Sequence, residues 1–341
     1  MNNDFLKNKT EELVGLCKKT VAEGYAVVIT GHDMPDCDSI ISAVMLCELL
    51  SRLGVEINVK FGTCPDGVTE RICRELGVLE AVDFDGFEDH DKLILVDHHV
   101  TFYKNEVIAC IDHHTTPPEP NFALNLVQKA SSCGRIIYDM AVAIGLSDDW
   151  MEKMAIHSVY LDTQSCLAPK FEKSDIPWLK DGIARLGIDE KDLVEKGFCL
   201  NLLDEKVENL AMYAYKKYEF GGKAGASTCI QIDPTEVGWE GKIGEIVEFL
   251  KRKMADGGIF LWVFVVNMPA STPRDWTKRA SSTFSQEIAD KMGVMRQQIT
   301  RFENMSNSPT IFFLVKYANA LDTELDVILN GVDLIEVTNN E

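Results

Sequence analysis

Three short apolar runs that each end in carboxylates and imidazoles constrain this chain more than any other feature. Val27-Val28-Ile29-Thr30 leads into Gly31-His32-Asp33-Met34-Pro35-Asp36-Cys37-Asp38-Ser39. Lys92-Leu93-Ile94-Leu95-Val96 closes on Asp97-His98-His99, and Val107-Ile108-Ala109-Cys110-Ile111 closes on Asp112-His113-His114. Runs of this length read as buried strands. Helical stretches such as Asp38–Leu53 separate them, and strands alternating with helices predict an α/β fold built on a parallel sheet with helices on both faces. Ligands gather at the strand ends of such sheets. Five of the seven histidines lie in these three places, and mixed carboxylate and imidazole donors suit divalent cations such as Mn²⁺ or Mg²⁺.

The 341 residues allow two or three domains, and 46% hydrophobic content suffices for a real core. A net charge of −20 disfavours non-specific attraction of nucleic acid to the whole surface. The ten cysteines are scattered without a Cys-x-x-Cys pair, so neither a disulfide framework nor a zinc ribbon is expected. Met1-Asn2-Asn3-Asp4 has no basic stretch followed by an apolar one. The longest apolar run, Ile259–Val266, is far short of the ~20 residues of a membrane span. The expected location is the cytoplasm, with no membrane partner.

Helical periodicity covers residues 4–22, and strand-like segments fall at 25–31, 55–61, 92–97 and 107–112. Pro117, Pro118 and Pro120 mark a loop. A helix is expected to begin at Ser131-Ser132, whose hydroxyls can cap it; its N-terminus could also cradle a phosphate. Residues 174–220 look helical and charged. Residues 226–266 then read as strand, helix and strand, with Thr228–Ile232, Ile243–Met254 and Ile259–Val266 as the elements.

These residues resemble the DHH phosphoesterase superfamily. His32 through Ser39 match its first motif, His-x-x-Pro-Asp-x-Asp-Ser, at every defined position. Asp97 stands for the second motif, Asp112-His113-His114 for the third, and Asp162, late in His157-Ser158-Val159-Tyr160-Leu161-Asp162-Thr163, for the fourth. The continuation Ala168–Asp175 is most similar to family II inorganic pyrophosphatases and related exopolyphosphatases. Four regions follow: a DHH domain over 1–170, a helical linker over 171–222, a small truncated α/β second domain over 223–269, and an all-α segment over 270–341.

That last segment resembles the Cro/phage-repressor helix-turn-helix family. Ser285–Val294 carries the Gln-Glu-x-Ala-x-x-x-Gly core, Arg296–Asn304 reads as a second helix, and Pro309 precedes a third. The resemblance places Gln297, Gln298, Thr300 and Arg301 near DNA bases or phosphates. Residues 274–317 hold seven Lys/Arg against four acids, a weak basic excess for neutralising phosphates. DNA contact through 274–330 and a purely packing or dimerising bundle both stay open, as does a homodimer.

The first resemblance implies a metal-dependent phosphohydrolase with two divalent cations, Mn²⁺ first and Mg²⁺ or Co²⁺ after it. His32 and Asp36 would hold one cation, and Asp38, His113 and Asp162 the other. Asp97 would bridge both. Asp97, Asp112 and His114 are the candidate catalytic residues, Asp112 by orienting His113. His114 and Lys216 would contact substrate phosphate, and His98 and His99 would lie outside the ligand set. His157 is expected to be a packed core histidine and His90 an exposed one. Two departures stand out: no Ser-Arg-Lys-Lys substrate clamp follows Ile259–Val266, and no Gly-Gly-Gly-His segment is present. The resemblance implies hydrolysis of a phosphoanhydride or phosphoester, with a substrate of the pyrophosphate or polyphosphate kind expected first. Alternatives are an oligonucleotide or cyclic dinucleotide, or no substrate at all in a DNA-binding regulator with a sensing domain.

Overall fold

The structure is a computed structural model that describes residues 3–99, 103–115, 120–166, 168, 170–197, 203–213, 215–220, 223–231, 238–257 and 259–267. Contacts divide the chain into two compact units. One comprises residues 1–166 and 170–194, the other 167–169 and 195–341.

The first unit begins with α1 (Asn3–Ala22), β1 (Val27–Thr30), α2 (Cys37–Arg52), β2 (Asn58–Lys60) and α3 (Gly67–Glu75). It continues through β3 (Val82–Asp83), β4 (Lys92–Val96), β5 (Val107–Asp112) and β6 (Leu124–Val127), then α4 (Cys133–Ala143), α5 (Asp149–Asp162), α6 (Ile176–Leu186) and α7 (Glu190–Gly197), whose last three residues belong to the second unit. The six strands form one parallel sheet in the order β3-β2-β1-β4-β5-β6. The order reverses between β1 and β4, where doubly wound sheets open a crevice at their carboxyl ends. The register there pairs Ile29 with Ile94 and Thr30 with Leu95. Of the strands, β3 and β6 were not anticipated. β3 has only two residues, and β6 mixes buried Leu124 and Leu126 with half-buried Asn125 and Val127.

Helix starts follow local capping chemistry. Asp36, Asp66, Ser132 and Asp148 each accept a hydrogen bond from a first-turn amide of α2, α3, α4 or α5, as short polar side chains do at N-caps. Helices α2, α4 and α5 pack on one another. Ile40, Ile41, Met45, Leu46, Leu49 and Leu50 of α2 are fully buried, which explains its nearly unbroken apolar sequence.

The second unit holds α8 (Val207–Ala211), β7 (Lys216–Phe220), β8 (Lys223–Gln231), α9 (Trp239–Gly257) and β9 (Ile259–Asn267). Its sheet runs β7-β8-β9, with β7 antiparallel and β9 parallel to β8. The stretch expected to be helical up to residue 220 therefore ends in a strand. Cross-strand pairing of Lys216 with Ser227 through Phe220 with Lys223 outweighs the helical character of the charged residues before it. Trp262 donates from Nε1 to Thr228 Oγ1 at 3.1 Å. No described helix is long and apolar enough to cross a membrane.

Candidate metal centre

Four chain segments bring their carboxylates and imidazoles to the carboxyl ends of β1, β4 and β5. His32 follows β1 by two residues, and Asp36 and Asp38 lie at the start of α2. Gly31 permits this approach, because a Cβ there would lie 2.8 Å from Phe61 and Ser39 side-chain atoms. Asp97 directly follows β4 with φ +62°, a left-handed conformation that Asp tolerates better than most residues. Asp112 ends β5, His113 and His114 follow it, and Asp162 ends α5.

Asp97 is the centre of the arrangement. Its Oδ2 accepts from Ser39 Oγ at 2.7 Å and lies 3.6 Å from His32 Nε2. Its Oδ1 lies 3.1 Å from His113 Nε2. Around it, ligand atoms converge as His32, Asp36 and Asp97 in one group, and Asp38, His113 and Asp162 in another. Asp97, Asp112, His113 and His114 form a third overlapping group.

His113 is fixed by Ala130, whose carbonyl accepts from Nδ1 at 3.2 Å. The Nε2 lone pair is thereby turned toward Asp97 Oδ1 and, at 3.4 Å, Asp162 Oδ2. These three atoms are buried, and none has a hydrogen-bond partner among the described residues. Three acceptors facing one another repel; two unit charges ~4 Å apart cost about 4 kcal/mol even in a partly polar interior. A divalent cation relieves that repulsion, and the donor set of carboxylate oxygens with one imidazole nitrogen fits Mn²⁺ or Mg²⁺. A proton on His113 Nε2 would relieve it as well. Burial would lower the His113 pKa, but the charge of Asp162 and the proximity of Asp97 push it up to about 10. His32 is likewise raised to about 10, as Asp36 and Asp97 outweigh its desolvation.

Asp38 is held from every side. Its Oδ2 accepts from the Cys133 amide at 2.7 Å, and its Oδ1 from the Gly134 amide at 3.0 Å, Ser42 at 3.1 Å and Ser158 at 2.5 Å. The positive end of α4 thus receives a carboxylate of the protein itself, so the phosphate-cradling alternative for this helix start does not hold. Burial, then the charges of Asp97 and Asp162, still raise Asp38 to about 8.

Asp112 does not orient His113 as the sequence suggested. Its Oδ1 accepts from the His114 amide at 3.0 Å and from His114 Nδ1 at 2.8 Å, and its Oδ2 pairs with His99 Nδ1. A backbone carbonyl serves His113 instead, because β5 ends at Asp112 and the chain turn points that carboxylate toward the next imidazole. Those partners hold Asp112 down to about 2 against the effect of burial. His99 therefore ties the first Asp-His-His triplet to the second. His98 donates to the Val96 carbonyl at 3.0 Å, and its ring lies edge-on to His32 with centroids 6.3 Å apart. His157 is buried with Nδ1 2.8 Å from the Lys153 carbonyl, and His90 is exposed.

Ser158, Ala130 and Lys170 have no role in the sequence reading, and Ser39 enters it only as the last position of the first motif. Ser158 had a signal, a lone hydroxyl among apolar residues of α5. Ala130 had none, since it acts through its backbone. Lys170 donates from Nζ to Asp162 Oδ1 at 2.5 Å. Lys216 begins β7, and its side chain lies outside the described residues. Gln297, Gln298, Thr300 and Arg301 lie outside them too.

Comparison with known proteins bears on both parts of the chain. Residues 26–163 match the model of the DHH family, N-terminal domain, and residues 277–328 match a helix-turn-helix model. A manganese-dependent inorganic pyrophosphatase of Methanocaldococcus jannaschii is 27% identical over 265 residues, covering 70% of this chain and 81% of its own. The crystal structure of a Methanococcus jannaschii protein assigned to the family II inorganic pyrophosphatases superposes with a TM-score of 0.55 at 23% identity, over 71% of this chain and 83% of that one. It shows the same fold.

Proposed function

We propose that this chain, which carries a DHH-family N-terminal domain, is a divalent-cation-dependent phosphohydrolase acting on pyrophosphate or a short polyphosphate. The observation that carries the proposal is the convergence at the sheet's carboxyl edge of three buried atoms, Asp97 Oδ1, His113 Nε2 and Asp162 Oδ2, for which no hydrogen-bond partner is found among the described residues. The relationship to a manganese-dependent pyrophosphatase supports both the metal and the substrate class. His32 and Asp36 would hold one cation, Asp38, His113 and Asp162 a second, with Asp97 shared between them. Bound there, the cations would neutralise phosphoryl charge and polarise the scissile bond.

The remaining work belongs to the protein's own groups. Ser39 fixes Asp97, and Ala130 fixes His113 in the tautomer whose Nε2 is free to coordinate. Asp112 holds His114 by Nδ1, which leaves the half-exposed ring's Nε2 to meet a substrate oxygen. Lys216 is proposed as a second phosphate contact. Turnover of pyrophosphate, tripolyphosphate and short oligonucleotides with Mn²⁺, Mg²⁺ and Co²⁺ tests the proposal. Release of phosphate from the first two supports it, and turnover of oligonucleotides alone overturns the substrate assignment.

A second reading rests on the helix-turn-helix match of residues 277–328. In it, Gln297, Gln298, Thr300 and Arg301 contact DNA, and the DHH domain senses a metal or a phosphate compound. Retention of duplex DNA by the full chain supports it, and its absence in low salt counts against it.

A further inference from the structure

The four carboxylates of the metal centre, Asp36, Asp38, Asp97 and Asp162, pose a problem for any polyanionic substrate. Cations bound among them are largely spent in offsetting the ligands' own charge, so binding a phosphoanhydride calls for positive charge from side chains. No Ser-Arg-Lys-Lys clamp follows Ile259–Val266 in this sequence. Lys170 supplies such a charge within the first unit.

Its Nζ lies 2.5 Å from Asp162 Oδ1, while Asp162 Oδ2 faces His113 Nε2 at 3.4 Å. The ammonium is therefore on the far oxygen of a candidate ligand, beside the cation position and not in it. Its pKa is raised, against the cost of burial, by Asp162, Asp97 and Asp36, so its charge acts on the whole cluster. An ammonium has three donors; one is used on Asp162, and the side chain stays 35% exposed. The segment behind it is pinned: Phe171 is 1% exposed, the Glu172 amide donates to Ser131 Oγ at 2.9 Å, and Ser131 Oγ donates to Asp175 at 2.6 Å. Lys170 is thus held in a fixed place at the cluster.

We propose that Lys170 is a substrate-binding residue whose ammonium, anchored on Asp162, contacts a phosphoryl oxygen of the phosphoanhydride. This rests on the phosphohydrolase reading of the same site. It gives a chain without the basic clamp a cation for its substrate, carried by the metal-binding unit.

The test uses the full Mn²⁺-loaded chain and calorimetric titration with inorganic phosphate and with pyrophosphate. Mn²⁺ affinity is measured in parallel on wild type, Lys170→Met and Lys170→Arg. Loss of a charge-assisted hydrogen bond predicts anion binding about 10-fold or more weaker in Lys170→Met, with Mn²⁺ affinity close to wild type and much of the anion affinity restored in Lys170→Arg. Equal anion binding by wild type and Lys170→Met overturns the proposal. So does a loss of Mn²⁺ affinity as large as the loss of anion affinity, which would make Lys170 a positioning residue for Asp162. A wild type that binds Mn²⁺ and phosphate but hydrolyses neither pyrophosphate nor polyphosphate defeats the phosphohydrolase reading and leaves the role of Lys170 in anion binding supported or refuted by the same titrations.

Discussion

His113 donates from Nδ1 to the Ala130 carbonyl at 3.2 Å, and this one contact decides what its other nitrogen can do. With the proton committed to Ala130, Nε2 is an acceptor facing Asp97 Oδ1 and Asp162 Oδ2. A divalent cation bound there would compete with a second proton for that lone pair.

The competition predicts a pH dependence whose sign follows from the raised values. His32 and His113 rise from 6.5 to about 10, and Asp38 rises from 3.8 to about 8. A raised folded-state pKa stabilises the fold below the unfolded value, and that contribution is lost as pH climbs to the folded one. In EDTA the melting temperature should therefore fall from about pH 6 to about pH 10. With Mn²⁺ the fall should be smaller, since binding displaces protons and strengthens as pH rises. Scanning calorimetry at a series of pH values checks this, and a metal-free protein that gains stability across that range would contradict it.

Asp97→Asn should abolish Mn²⁺-dependent hydrolysis and weaken Mn²⁺ binding. Asn tolerates the left-handed backbone of this position as well as Asp does, so the loss would report the missing charge and not a misfolded turn. His98→Ala should be milder, by ~10–100-fold at most, because the ring touches Val96 and His32 and no candidate ligand oxygen. Steady-state kinetics and Mn²⁺ titration of both variants provide the comparison. A His98→Ala chain as dead as Asp97→Asn would move His98 into the ligand set.

Gly134→Ala should cost about 1–3 kcal/mol of stability and loosen the metal site together. The added Cβ would lie 2.4 Å from Ser158 Oγ, which is the hydroxyl that donates to Asp38. Relief requires moving α4 away from α5 or turning Ser158, and either breaks the cradle around Asp38. Urea unfolding with and without Mn²⁺ measures both effects. A variant with unchanged midpoint and unchanged Mn²⁺ affinity would show that the cradle is dispensable.

Arg301→Ala in the full chain should weaken duplex DNA binding and reduce its salt slope by about 1 if Arg301 contacts a phosphate. Fluorescence anisotropy across a range of salt concentrations reads both quantities. Binding that neither weakens nor changes slope would remove Arg301 from the interface.

Much of the site was legible because its ligand types sit where local patterns end. Apolar runs stop at His32, Asp97 and Asp112 in the sequence, and β1, β4 and β5 stop within two residues of them in the structure. The strand β6 was less legible, because half-buried Asn125 and Val127 interrupt its apolar pattern. β7 was hidden in a charged stretch and is defined by its pairing with β8.

The sequence by itself determined the principal strands β1, β4 and β5 with the helices α1 and α2, and which chemical groups follow those strands, since strand and helix periodicity is set by neighbours within a few residues. Only the tertiary structure decided how those groups are held. Asp38 is gripped by amides 95 and 96 residues away and by a hydroxyl 120 residues away. Asp97 accepts its bond from Ser39 across 58 residues, and His113 donates to a backbone carbonyl that any residue at position 130 would provide. Such partners are fixed by strand register and helix packing, and no local pattern of residues encodes them.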